Sequence, residues 1–519
     1  MKKAKLPIGI QDFEKLITEN FVYVDKTEFV YQLANAGNPT FLCRPRRFGK
    51  SVLVSTFDAL FTAKRELFKG LWINNSDWDW QVHPVIRLDM SVVPNRTLEL
   101  FESGLAERLT TIATRYGIDL TAHQPAQTLL LQLIEKLAAK YTKVVVLVDE
   151  YDKPLIDQIE NLETAHLIRD SLRQFYGILK AQDANLKFVF LTGVTKFSKV
   201  SVFSGLNNLN DITMLDNFST LLGYTRDELE HYFGNDIADL AATRSLTLPA
   251  CYAEIKKWYN GYRFSRQSTY VYNPFSVLRL INSSNFSTHW FETGTPTFLI
   301  KLLQNREFDL IDLETLEVSD DAFSTFEIDN IPLLPLLYQT GYLTIKNYEP
   351  ILKSFYLSHP NHEVSLAFSE SLFRYFSDSE AESSNYITLI CRNLLATPWD
   401  DSTFFTIFKE ILALMPYDLY LKKEKHYQSL LYLVIKLAGL KVSAEVHTQR
   451  GRVDAVIEMK DKILIFEFKL NQTAALAIEQ IKQKAYYQLY QDRKLPIYLV
   501  GINFNSEQHT IDDTRVEKL

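Results

Sequence analysis

The 519-residue sequence predicts a multidomain α/β protein: a doubly wound parallel sheet first, a mainly helical middle, and a separate α/β unit at the C-terminus. Three observations predict it. The chain is too long for one hydrophobic core. Its first part alternates short apolar runs with helical periodicity, the βαβα rhythm of a parallel sheet covered on both faces. A fresh pattern of helix and strand then begins near Lys423 and continues almost to the end.

Composition narrows the class. Hydrophobic residues make up 46% and charged residues 23%, as in soluble globular proteins, and the 13% aromatics allow large packed surfaces. No run of roughly 18 apolar residues marks a membrane span. Met1 to Phe13 lacks the apolar stretch of a secretory signal. Cys43, Cys251 and Cys391 stand far apart without a CxxC pair, so neither a disulfide framework nor a zinc site is expected. The expected setting is cytoplasmic. Net charge is −7, but from Leu421 onward 16 basic residues face 12 acidic ones, a mildly basic tail on an acidic body.

Taken in order, Thr40 to Cys43 reads as a strand, and a helix opens at Lys50. Val85 to Leu88, Val144 to Val148 and Phe188 to Leu191 read as further strands, with helical spacing over Glu163 to Leu179. The four valines and one leucine of Val144–Val148 suit a strand buried on both faces. These runs define an N-terminal domain, residues 1–225. Residues 226–320 read as helical. Residues 321–415 read as a winged-helix-like connector: a helix from Leu333, a break at Gly341, and strands at Tyr342–Lys346 and Ser354–Leu357. A plain α+β connecting segment is the alternative. Residues 416–519 form the last α/β domain.

The segment Arg44-Pro45-Arg46-Arg47-Phe48-Gly49-Lys50-Ser51 follows a strand and opens a helix, the setting a phosphate-binding P-loop requires. Backbone N–H groups and the helix N-terminus would cradle phosphates. Lys50 would reach the β and γ phosphates, and the Ser51 hydroxyl would ligate Mg²⁺. The usual first glycine is Arg44 here. Arg46 and Arg47 would grip phosphate in cis or, in a homo-oligomer, act in trans on a neighbour. Val144–Val148 ends in Asp149-Glu150, where Asp149 would hold Mg²⁺ through water and Glu150 would act as general base. The bland alternative is a helix-capping aspartate. Thr192, ending the next strand, would sense the γ-phosphate or merely cap the strand. ATP and Mg²⁺ are the expected cofactors.

Several motifs carry a resemblance. Leu6-Pro7-Ile8-Gly9-Ile10-Gln11-Asp12-Phe13, Tyr23-Val24-Asp25-Lys26-Thr27, the P-loop segment, Trp258-Tyr259-Asn260-Gly261-Tyr262-Arg263-Phe264 and Tyr272-Asn273-Pro274 resemble the bacterial AAA-ATPase-like family. Members of that family commonly carry a C-terminal PD-(D/E)xK nuclease domain. The double arginine also resembles archaeal-type ATPases of the STAND-related group. The resemblance implies ATP binding. On local pattern alone, Asp25 to Glu28 reads as a helix cap and Tyr259 to Arg263 as an aromatic-packed turn.

In the C-terminal domain, Ile463 to Lys469 reads as a buried strand with two charges in it. Alternation puts Glu467 and Lys469 on one face. Asp454, on the preceding strand Arg452–Glu458, would come beside Glu467 through a hairpin at Met459–Lys462. Burying these charges without a partner or metal would cost several kcal/mol. Asp454, Glu467 and a backbone carbonyl can bind Mg²⁺, and Lys469 can position water or stabilise developing charge. Glu424 opens a helix, Glu424–Leu437, and would ligate or orient the metal. Gln480, on a helix with Tyr486 and Tyr487, would contact the phosphate backbone. His426 and His447 read as surface residues or residues behind the ligands. This D-x12-E-x-K pattern resembles the PD-(D/E)xK superfamily and its restriction-endonuclease-like α/β fold, with Val453 in place of the usual proline. The alternative is a salt-bridge cluster on a partly exposed sheet.

Together these features lead to an ATP-regulated or ATP-driven, Mg²⁺-dependent nuclease acting on nucleic acid, with DNA the expected substrate and no membrane partner. By analogy, defence against mobile DNA fits such a switch. The other class kept open is a nucleotide-dependent DNA-binding or scaffold ATPase whose nuclease fold does not cleave.

Overall fold

Strand β1 (Thr40–Cys43) is buried along its whole length, as its sequence TFLC requires. The computed structural model to which it belongs describes residues 4–196, 202–203, 205–206, 208–266, 269–290, 316–323, 332–376, 380–414, 424–448 and 451–519. Two short helices, α1 (Phe13–Thr18) and α2 (Thr27–Ala36), precede β1, and α3 (Lys50–Phe61) follows it. Next come β2 (Val85–Asp89), α4 (Leu98–Arg115), α5 (Ala126–Lys140), β3 (Val144–Asp149), α6 (Lys153–Ile156), α7 (Leu162–Ala181), β4 (Leu186–Gly193) and β5 (Asn210–Asp211). The five strands form one sheet in the order β2-β3-β4-β1-β5, with every described pairing parallel. The expected parallel sheet is therefore present. Helices α4 and α5 and the edge strand β5 had no counterpart in the sequence reading.

Parallel pairing brings the carboxyl ends of β1, β3 and β4 to one edge of the sheet, where open α/β folds bind ligands. The order also sets β4 between the phosphate-loop strand and the acidic strand.

Helices α8 (Arg226–Thr243), α9 (Leu248–Tyr259) and α10 (Pro274–Ser283) pack around Leu229, Phe233, Ile255, Tyr259 and Leu280, and Val24 from the N-terminal segment joins this core. The Tyr23–Thr27 block explains the join. Lys26 donates to the carbonyl of Thr220 at 2.7 Å and pairs with Glu228, and the Tyr232 hydroxyl accepts from the main-chain N–H of Asp25. On the alternative reading of Asp25–Glu28 as a helix cap, Asp25 does accept from the N–H and hydroxyl of Thr27, but no reciprocal capping box forms there. One stands at Thr225 and Glu228, at the start of α8. Lys26 sits at the cap of α2, where its ammonium, a donor only, cannot cap N–H groups and instead pairs with Glu228.

Then follow β6 (Leu316–Ser319), α11 (Leu333–Thr340), β7 (Thr344–Glu349) and β8 (Ser354–Ser358), with a three-stranded antiparallel sheet β6-β8-β7. Strand β7 starts two positions later than expected. The main-chain N–H groups of Tyr342 and Leu343, after the left-handed Gly341, still donate to the Leu337 carbonyl of the finished helix.

Helices α12 (His362–Phe376), α13 (Glu380–Leu395), α14 (Asp401–Ala413) and α15 (Glu424–Leu437) lead to β9 (Val442–Thr448), β10 (Gly451–Glu458), β11 (Ile463–Leu470), α16 (Ala474–Gln483), β12 (Ile497–Asn505) and β13 (Thr510–Lys518). These strands form a sheet ordered β13-β12-β11-β10-β9, in which β11 and β12 are parallel and the rest antiparallel. Trp399 packs on Tyr498 and Phe404 on Phe466, so the α13–α14 region belongs to this sheet's core.

By contacts the chain divides into two compact units: residues 1–293 with 315–364, and residues 294–314 with 365–519. The segment 321–415, read above as one connector, divides between them. Residues 226–293, read as a separate helical region, fall in the first unit. No helix among the described residues is long and apolar enough to cross a membrane.

One glycine tests the first unit. Gly261 has φ +101°, and a Cβ there would lie 2.0 Å from the Pro360 carbonyl oxygen. Left-handed strain costs about 1–2 kcal/mol and overpacking about 1–3 kcal/mol. Gly261→Ala is expected to lower the melting temperature of the first unit by several degrees in calorimetry.

Candidate functional sites

The P-loop is built where β1 ends. Arg47 has φ 66° and Gly49 φ 96°, two left-handed residues that turn the chain into α3. Arg44 is buried, and its guanidinium donates to the carbonyls of Cys43, Thr213 and Phe218 at 2.9, 2.7 and 3.1 Å and lies 4.3 Å over the Phe264 ring. Burial lowers its pKa to about 10. The departure from the usual glycine thus has a structural reason: a cation anchors the loop. Lys50 is also buried, with Nζ donating to the carbonyls of Arg44 and Pro45 at 2.9 Å each. Burial lowers its pKa, while Asp149 opposes the shift. Arg46 is exposed, and Arg47 lies 3.8 Å over the Phe275 ring.

Asp149 and Ser51 are hydrogen bonded, so the two expected Mg²⁺ ligands are brought together. Burial raises the pKa of Asp149, of Glu150 and of Asp152. Glu150 has φ 50°, a strained conformation of the kind that collects at functional sites. The Thr192 hydroxyl is fully buried and donates to the Leu42 carbonyl at 2.8 Å, tying β4 to β1.

Two residues here were missed in the sequence. Asp152 accepts through one oxygen from the N–H groups of Val194 and Thr195 and from the Thr195 hydroxyl, pinning the Asp149–Glu150 turn to the end of β4. A Cβ on Gly193 would lie 2.4 Å from Asp152, so only glycine admits this contact. Asp89 stands beside Asp149 in the β2–β3 register and adds to the negative field on it. An acidic residue ending the apolar run Val85–Leu88 was the available signal. With Asp149, Glu150 and Asp152 around Lys50, and Asp89 beside Asp149, the donor set fits a divalent cation at Ser51 and Asp149.

The second site lies on β10 and β11. Their hairpin closes through Met459–Lys462 as expected, and the register that pairs Ala455 with Phe466 carries Asp454 toward Glu467. Asp454 accepts from the Phe468 N–H at 2.7 Å. Glu467 is buried, and one of its oxygens accepts from Lys469 at 3.4 Å and from the Gln480 amide. Its other oxygen is buried without a partner. Lys469 also donates to the Phe468 carbonyl at 2.8 Å. Glu424 lies within the field of Lys469 and accepts from the main chain of Leu470. Asp454, Glu467, Lys469, Glu424 and Gln480 therefore gather in one place. Gln480 is turned onto Glu467 rather than outward. The Tyr486 ring is buried, and its hydroxyl hydrogen-bonds Gln480 within the field of Glu467 and Asp454. The side chains of His426 and His447 lie outside the described residues.

Burial raises the pKa of both Asp454 and Glu467, and mutual repulsion adds to the rise on Glu467. Among the described residues no group of three His, Cys, Asp or Glu side chains could hold a metal ion. Asp454, Glu467 and a main-chain carbonyl remain the donor set, and the orphaned Glu467 oxygen is what a divalent cation would satisfy. Glu445 and Gln428 were missed. Glu445 has φ 48° and adds negative field to Asp454, while Gln428 donates to the Asp454 carbonyl at 2.8 Å.

Comparison with known proteins bears on the family of each end of the chain. Residues 7–203 match a family described as "Predicted AAA-ATPase", and residues 422–514 match the PD-(D/E)XK nuclease superfamily. An uncharacterized protein from the vnfD 5′ region of Azotobacter chroococcum mcd 1 is 37% identical over 530 residues, covering 100% of both chains. The chain belongs to the AAA-ATPase-like family with a C-terminal PD-(D/E)XK domain. Among solved structures, the ORC2 protein of Aeropyrum pernix aligns with a TM-score of 0.29 and 13% identity, covering 69% of this chain and 98% of that one. Cdc6p of Pyrobaculum aerophilum aligns with a TM-score of 0.23 and 11% identity, covering 83% and 88%. At these scores the likeness carries nothing about function.

The raised carboxylates make stability depend on pH. Folded Asp454 and Glu467 hold protons that the unfolded chain releases at lower pH. Their contribution is full below the ordinary carboxylate range and is lost as pH rises through their raised folded values. In EDTA the C-terminal unit should therefore melt at lower temperature as pH rises from acid toward neutral. Asp454→Asn should flatten that slope, and Mg²⁺ should stabilise wild type but not the variant at neutral pH. Identical slopes in the two proteins would remove the assigned charge pair.

Proposed function

We propose that the chain is a nucleotide-regulated nuclease, in which ATP bound at the P-loop licenses metal-dependent hydrolysis of nucleic-acid phosphodiester bonds, DNA in the first place. The observation that carries the reading is the second site: a buried carboxylate with an orphaned oxygen, Glu467, and the half-buried Asp454, beside the ammonium of Lys469. When bound there, Mg²⁺ supplies Lewis acidity and a water of lowered pKa. Asp454 and Glu467 would hold it, with Glu424 nearby. Lys469 places positive charge where the transition state gains negative charge. Gln480 orients Glu467.

In the first unit, Lys50 offers its charge to the terminal phosphates and Arg46 and Arg47 grip them. Ser51 and Asp149 would hold Mg²⁺, Glu150 would serve as general base for water, and Thr192, its hydroxyl bonded to the Leu42 carbonyl, would act on the γ-phosphate only through the position of β4. Sites in trans on a homo-oligomer are compatible with the exposed Arg46. Defence against mobile DNA fits a nuclease kept under nucleotide control, by analogy alone. One observation favours a second reading, a nucleotide-dependent DNA-binding ATPase that does not cleave: Lys469 and Gln480 already occupy the other Glu467 oxygen.

Two experiments test the proposal. In calorimetry, Lys50→Ala should weaken MgATP binding by about ten- to a hundredfold, the worth of a charge-assisted hydrogen bond. Glu150→Gln should bind ATP yet hydrolyse it slowly. Unchanged affinity in Lys50→Ala would sink the nucleotide site.

The second measures cleavage of plasmid, linear and single-stranded substrates in Mg²⁺ or EDTA, with and without ATP. Asp454→Ala should abolish cleavage, and Lys469→Ala should slow it by about 10²–10³. DNA binding without cleavage in wild type would favour the second reading.

A further inference from the structure

The P-loop has an inner side for phosphate and an outer side packed against later parts of the first unit. Phe48 is buried, with the Tyr262 and Phe264 rings 4.8 and 5.3 Å away. This gives the Trp258–Phe264 motif a role that its local pattern did not reveal. Gly341 closes α11 with φ +94°, and a Cβ there would lie 2.8 Å from Pro45 and 3.4 Å from the Trp290 ring. Beside it, the Trp290 indole N–H donates to the Arg46 carbonyl at 3.2 Å.

We propose that Trp290 is a positioning residue of the phosphate loop and, with Glu363, carries the loop's nucleotide state to the places where the chain leaves the first unit. The proposal rests on the ATP reading above. A peptide group is planar, so the Arg46 carbonyl and the Arg47 N–H are one rigid plate with opposite ends. Arg47 is left-handed, the conformation in which successive N–H groups form an anion-binding nest. A phosphate that takes the Arg47 N–H tilts the plate. The carbonyl at its other end then moves against the Trp290 indole.

Trp290 passes the movement on through its own main chain. Its N–H donates to one Glu363 oxygen at 2.8 Å, and the other oxygen accepts from the Ser276 hydroxyl at 2.7 Å. Glu363 is fully buried, so losing these bonds is costly and it follows its donors. Tyr342 packs edge-on against the Trp290 ring at 5.4 Å. Location gives the link its use: the first unit runs to Thr293, just past Trp290, and resumes to end at Val364, just past Glu363.

Hydrogen exchange of the full-length protein, read by mass spectrometry, tests this. EDTA is compared with saturating MgADP and with Mg²⁺ plus a non-hydrolysable ATP analogue. In wild type, nucleotide should slow exchange in peptides over 44–52 and also over 284–290 and 359–366. Trp290→Phe keeps a ring and removes the indole N–H. It should weaken nucleotide binding by about two- to tenfold. At its own saturation it should protect 44–52 but lose at least about half of the response over 359–366. Glu363→Gln should show the same loss of response and serves if Trp290→Phe misfolds. An undiminished response in both variants, or a wild type protected at 44–52 alone, would overturn the proposal. No protection even at 44–52 would show that the nucleotide reading itself had failed, and the relay with it.

Discussion

A guanidinium with no more than 1% of its residue exposed ties the first unit together. Arg44 stands at the end of β1 and holds carbonyls from its own residue's neighbour Cys43, from Thr213 and from Phe218, under the ring of Phe264. A cation taken out of water costs several kcal/mol unless fixed dipoles replace its hydration. The segments that carry those carbonyls and that ring must therefore be in place for β1 to end as it does. The consequence reaches the phosphate site. The Arg44 carbonyl, with that of Pro45, accepts from Lys50, so the lysine is held ready inside the loop before phosphate arrives. Where a P-loop usually relies on a glycine's freedom, this one relies on an anchored charge.

That anchor also marks the limit of reading sequence. The four parallel strands that bear the site were legible, because Val144–Val148 and its like are continuous apolar runs with polar residues at their carboxyl ends. Lys50, Ser51, Asp149 and Glu150 were legible as a linear pattern of types in a strand–turn–helix setting. Arg44 appeared only as a departure, since its meaning lies in carbonyls more than 160 residues away in sequence. Asp152 was in plain view one residue past Tyr151, yet its three donors belong to the end of β4. Helices α4 and α5 carry ordinary amphipathic patterns and no chemistry, and went unread for that reason. The division of 321–415 between two units was equally hidden, because each unit's core is closed by contacts distant in sequence.

At the second site the strand period did most of the work. Alternation put Glu467 and Lys469 on one face, and the hairpin supplied Asp454. What alternation cannot give is the direction of a side chain on another element. Gln480 was expected to reach outward and instead turns onto Glu467, since a buried carboxylate attracts any donor within reach. Gln480 was placed on one helix with Tyr486 and Tyr487, but that helix ends at Gln483 and Ala485 has φ 51°; the Tyr486 ring packs in the core while its hydroxyl still meets Gln480. Glu445 was unremarkable in sequence. Its left-handed backbone interrupts the β9–β10 register opposite Asp454, and only the folded sheet reveals that.

The two sites share one physical condition, buried negative charge without enough positive charge beside it. Asp149, Glu150 and Asp152 surround Lys50, and Asp454, Glu467 and Glu424 surround Lys469. Such clusters are unfavourable until a cation enters, so each unit is stabilised by its ligand in proportion to affinity. Stabilisation alone does not make a switch. A ligand that binds two conformations equally shifts neither, however tightly it binds. Regulation therefore needs an element whose position differs between the empty and the filled loop, and Lys50 is poorly suited to that role because its carbonyl partners hold it already. The peptide between Arg46 and Arg47 is better suited: one end meets phosphate, and the other is bonded to a residue beside the exit of the chain from the unit. The differential free energy on which regulation depends would then reside in the tilt of that single peptide.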